Sequence, residues 1–110
     1  MKFEIYKETL EVHKNFEDSV ESCSKIGYGW RLPTIDELSE LYSMQERGEI
    51  MLGNYGCWSS TVHELGYVYS LGFLTGNVYL NPKTNLNLIR PVRDIQQVDK
   101  EYWGSELPLP

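Results

Sequence analysis

The sequence predicts an α+β domain with two helices followed by an antiparallel sheet. Three observations point there. "RLPTIDELSELY" joins a helix-capping signature to an apolar stripe at helical spacing. From Cys57 onward the apolar period changes from helical to alternating. "LTGN" at 74–77 is a hairpin turn set between two alternating runs. At 110 residues, with 41% hydrophobic and 13% aromatic content, the chain is long enough for one core and too short for two.

The opening "KFEIYKETLEV" alternates at Phe3 and Ile5 and again at Leu10 and Val12, which predicts a strand or hairpin. In "NFEDSVESCSKIG", Asn15 is placed to cap a helix with Asp18 in its first turn, where the helix dipole favours negative charge. Phe16, Val20 and Cys23 form its expected inward stripe, and Gly27 and Gly29 end it. The second helix is expected over about Ile35 to Met44. Thr34 and Glu37 form its capping box, Pro33 stands just before the cap, and Ile35, Leu38, Leu41 and Tyr42 face inward. "QERGEIMLGNYG" reads as an irregular connection. Strands follow at "GYVYSLGF", "VYLNP" and "LNLIRPVRD", the last interrupted at Pro91, which cannot donate to a ladder and predicts a bulge or an edge. The domain is therefore assigned to residues 1–94 and a tail to residues 95–110, whose Tyr102, Trp103 and Leu107 are expected to pack on the body or on a partner.

The net charge of −6 disfavours direct nucleic-acid binding, which relies on Lys and Arg. Residues 1–55 carry 11 acids against 6 bases, and residues 56–110 carry 5 against 4. The front half therefore reads as a solvated acidic face, with a nucleic-acid mimic as the alternative. No apolar run approaches the roughly 20 residues that span a bilayer. The first residues lack the apolar core of a secretory signal, so a cytoplasmic protein without membrane contact is expected. Two cysteines and two histidines at irregular spacing imply neither a disulfide framework nor a metal site. No cofactor is expected.

"GWRLPTIDELSELY", "CWSST", "GYVYSLGFLTGNV" and "LIRPVRD" occur in the order seen in the family called domain of unknown function 1566. That family is also named for the C-terminal domain of a Legionella collagen-like protein, and the resemblance covers about Asn15 to Asp94. It implies a C-type lectin-like fold: two helices packed on a small twisted antiparallel sheet, with the chain ends in adjacent strands and "KFEIY" supplying the first. It further implies that Trp30 and Trp58 are buried anchors, and that Glu37, beyond its bond to the Thr34 cap, pairs with Arg31, Arg90 or Arg93. The calcium-dependent sugar-binding members of the broader fold use carboxylate-bearing loops. Here the nearest fragment, Asn81 to Lys83, has no carboxylate, so neither calcium nor sugar binding is carried over.

Cys57 with His63 raises the alternative of a cysteine-dependent enzyme. A nucleophilic thiol needs a base, an orienting acid and a lowered pKa, and "CWSST" carries no pattern for them. Ser59, Ser60 and Thr61 are expected to satisfy backbone groups, leaving the segment as scaffold. If Leu71, Phe73, Val78 and Leu80 point to the core, then Val68, Ser70, Tyr79, Asn81, Asn85 and Asn87 form an outward recognition face of Tyr, Ser and Asn. The expected function is a non-catalytic module that binds a protein partner, such as a small phage-encoded inhibitor of a bacterial host or defence protein (an anti-CRISPR, for example). A homo-oligomer is compatible with it.

Overall fold

The computed structural model describes residues 2–7 and 10–95. In chain order it contains β1 (Phe3–Ile5), β2 (Leu10–Lys14), α1 (Phe16–Ile26), α2 (Ile35–Glu46), β3 (Gly56–Val62), a 3-10 turn (Glu64–Gly66), β4 (Tyr67–Gly72), β5 (Val78–Pro82), β6 (Asn87–Ile89) and β7 (Val92–Asp94). This is an α+β architecture of two helices and a mixed sheet. The tail expected at 95–110 lies outside the described residues from position 96 onward. Among the described residues no helix is long and apolar enough to cross a membrane.

Local chemistry accounts for both helices. The Asn15 side chain accepts the Asp18 N–H at 2.8 Å and starts α1. The capping box of α2 is complete: Thr34 Oγ1 accepts the Glu37 N–H at 3.2 Å, and Glu37 Oε1 accepts the Thr34 N–H at 2.8 Å. A further free donor of the first turn, Ile35 N–H, is taken by Thr61 Oγ1 at 2.9 Å, which pins the helix start to β3.

The main sheet runs in the order β2-β6-β3-β4-β5, and β1 pairs with β7 in a separate two-stranded ribbon. Two expectations are corrected here. The opening segments do not form a hairpin with each other, because β1 pairs with β7 and β2 with β6. Nor is the sheet wholly antiparallel: β6 lies beside β3, parallel to it at Cys57↔Leu88, rather than beside β5. The chain between β5 and β6 is held at α1, where the Phe16 N–H donates to the Lys83 carbonyl at 3.0 Å. At Pro91 the last run breaks into two strands of different sheets.

Both faces of the sheet centre are covered. On one, Leu38 and Leu41 of α2 pack with Cys57, Leu71, Phe73 and Leu88, and with Phe3 and Val92 from the ribbon. On the other, Phe16 and Cys23 of α1 pack with Leu32, Trp58, Val68 and Ile89. Neighbours along a strand, Cys57 and Trp58 or Leu88 and Ile89, enter opposite cores, as period-2 geometry requires. The inward stripe of α1 is Phe16, Ser19 and Cys23, while Val20 is exposed. In the β4–β5 turn Gly76 has φ +81°, and a Cβ there would stand 2.5 Å from the Tyr42 ring. Glycine thus lets the hairpin lie against α2.

Candidate functional site

Cys57 lies in the core, its thiol 3.9 Å from the Tyr55 carbonyl. Burial pushes its pKa up to about 12, against a smaller lowering by the nearby Arg90 charge. His63 is exposed and packs edge-on against Tyr69 at 5.7 Å. The hydroxyls beside Cys57 serve the backbone: Ser59 Oγ donates to the Tyr69 carbonyl at 2.6 Å and accepts the Thr61 N–H at 3.0 Å. Ser60 bonds to the Pro33 carbonyl through both its N–H (2.7 Å) and its hydroxyl (3.3 Å). Cys23 is also buried, with its pKa raised to about 11 by desolvation. Neither thiol should react with iodoacetamide in the native protein at pH 8, while both should be alkylated in urea. Mass spectrometry reads this directly; native labelling at Cys57 as fast as in urea would contradict its burial. Among the described residues no three His, Cys, Asp or Glu side chains group to hold a metal ion.

The three arginines that could have met Glu37 have separate surroundings. Arg31 takes the Glu37 carboxylate in a two-pronged pair at 2.8 and 2.9 Å and adds Asp94 at 2.7 Å. The Arg31 hydrogen bonds hold the Glu37 pKa below its usual value despite partial burial. Arg93 pairs with Glu4 at 3.1 Å and lies 4.4 Å from the Trp30 ring centroid. Trp30 is half-buried, between Arg93 and an edge-on Tyr6 at 5.0 Å, so the expected buried anchor is corrected to a clamp at the surface. Trp58 is fully buried, and its indole N–H donates to the Lys14 carbonyl at 2.7 Å. Arg90 is buried and gives its Nη2 to the Leu52 carbonyl at 2.6 Å.

The expected recognition face does not form as one surface. Val68 and Ser70 are buried, Val68 in the core that α1 shares with Trp58 and Ile89. Ser70 donates its hydroxyl to Asn81 Oδ1, which also accepts from Asn87 Nδ2 at 3.2 Å. Asn81 and Asn87 are therefore half-buried ties between the start of β6 and the end of β5. Asn85 is exposed, and Tyr79 is 49% exposed.

The exposed surface lies on β5, which sequence reasoning assigned partly to the core. Val78 and Leu80 are 48% and 46% exposed, on a strand that forms one edge of the main sheet. Leu74 at the turn and Tyr67 opposite Pro82 extend the patch. A sequence signal for it existed: residues 66–82 contain no charged side chain, in a chain of net charge −6.

An α+β domain in which the first and last described strands are clasped, the sheet centre is covered on both faces and, among the described residues, an uncharged edge is left unpaired is the class that these features define. The chain belongs to the Lcl C-terminal domain family, whose model matches residues 5–93. No curated protein matches it.

Proposed function

We propose that this domain is a non-catalytic protein-binding module whose working surface is the outer edge of β5 with Val78, Tyr79 and Leu80. One observation carries the reading: among the described residues β5 leaves one side of its backbone unpaired, and it carries half-exposed apolar side chains in an uncharged stretch. Native sheet edges are normally blunted by charge, proline or cover, and within β5 only the terminal Pro82 does so. A partner strand added there would gain main-chain hydrogen bonds for affinity and side-chain contacts on both faces for specificity. The fold is read as a C-type lectin-like variant, supported by the pairing of β1 with β7 near the chain ends. A phage-encoded inhibitor of a bacterial host or defence protein, such as an anti-CRISPR acting in the host cytoplasm, would use an adhesive edge of this kind. The expected partner is a protein, not nucleic acid or a membrane.

Leu80→Lys and Tyr79→Ala should each lower recovery of a bound protein from bacterial lysate by about tenfold or more, without shifting the melting temperature. A photo-crosslinker at position 80 should join that protein to β5. Equal recovery by both variants would remove β5 from the interface.

A further inference from the structure

On the far side of the sheet from β5, a cleft of about 350 Å3 opens beside β2 and β6. Its walls include His13, Met51, Leu52, Tyr55 and Leu88, with Arg90 among them. Arg90 is only 8% exposed, and its Nε has no hydrogen-bond partner among the described residues. Its other bonds go to neutral carbonyls, to Leu52 at 2.6 Å and more weakly to Ile89 at 3.4 Å. Among the described residues it pairs with no carboxylate, and no acid lines the cleft, although the chain as a whole carries an excess of acids. A guanidinium held this deep with no counter-charge among the described residues is costly, and an arriving anion would relieve that cost.

We infer that this cleft binds a carboxylate, specifically the C-terminal carboxylate of a peptide ending in an apolar residue. A planar two-oxygen group matches the edge of a guanidinium, accepting from Nε and a neighbouring Nη together. Leu52, Leu88 and Met51 give the last side chain an apolar seat, and Tyr55 with His13 forms a polar rim, stacked edge-on at 5.6 Å. Phosphate fits less well, since a single cation beside apolar walls cannot satisfy three charged oxygens. The Nε–H is itself covered, so the ligand reaches it through rotation of the guanidinium or of the exposed His13–Tyr55 rim. The site is separate from the β5 edge and does not depend on it.

The test titrates the full chain, by NMR and calorimetry, with three probes: acetyl-Ala-Leu-Leu as the free acid, the same peptide as its C-terminal amide, and inorganic phosphate. The free acid should shift the Arg90 Nε–H and His13 ring signals saturably and bind roughly tenfold or more tighter than the amide. Arg90→Met should abolish the response, Tyr55→Ala should weaken it several-fold, and Leu80→Lys should leave it unchanged. If Arg90→Met does not fold, the three probes on the wild-type chain decide alone. An amide that binds as well as the acid, phosphate that matches the peptide, or an Arg90 signal that stays fixed would each overturn the inference.

Discussion

Trp58→Ala is expected to cost about 3–5 kcal/mol of stability, enough to unfold much of the population of a small domain at 37 °C. The indole is 0% exposed and fills the core between α1 and the sheet. Its ring meets Phe16 edge-on at 5.6 Å, and its N–H closes on the Lys14 carbonyl at 2.7 Å. One side chain therefore joins β2, α1 and β3. Trp58→Phe should cost about half as much, because much of the ring bulk stays while the Lys14 carbonyl loses its donor. Urea unfolding of both variants separates packing from hydrogen bonding. A loss below about 1 kcal/mol for the alanine variant would contradict this account of the core.

Glu37→Ala ranks next, with an expected loss of about 2–3 kcal/mol, because it removes half of the capping box and leaves Arg31 with the exposed Asp94 and the Leu32 carbonyl. The expected figure is kept below that of a fully buried pair, since Arg31 is 33% exposed and solvent screens it. Glu37→Gln, which can still accept from the Thr34 N–H, should lose less. The same pair sets a pH dependence. The folded-state pKa of Glu37 is depressed, so its contribution is full above the ordinary glutamate value of 4.5 and fades as pH falls from there through the folded value. Wild-type stability should fall more steeply below pH 4.5 than that of Glu37→Gln. Parallel curves would detach the acid sensitivity from this residue.

The helices were legible because their signals are local. Asn15 with Asp18, and Thr34 with Glu37, each complete a cap within four residues, and no distant contact is needed to read them. The partner of Glu37 was not legible among three arginines, because Arg31, Arg90 and Arg93 differ only in where the chain carries them. The sheet faces misled for a different reason. Alternation shows which residues share a face, and Val68 does share one with Ser70, Tyr79 and Asn81. It cannot show what lies over that face. Val68 packs with α1 and Trp58, and Ser70 is buried with its hydroxyl on Asn81, while Val78 and Leu80, on the opposite face at the margin, stay half in water. Placement of β6 beside β3 likewise depends on contacts between distant segments, such as Phe16 with Lys83, which no local pattern encodes.

In the β1–β7 ribbon Phe3 lies opposite Asp94 and Ile5 opposite Val92, and the Ile95 N–H reaches the Lys2 carbonyl at 3.1 Å. Both strands thus leave the body at the same end. Tension applied between residues 2 and 95 would open the three pairs one after another, like a zipper, instead of loading them together in shear. Asp94 would leave Arg31 early in that peeling, while Glu37, anchored on α2, would still hold it. Opening the clasp would also draw Phe3 away from the α2-side core, so peeling the ribbon and loosening that core are one event.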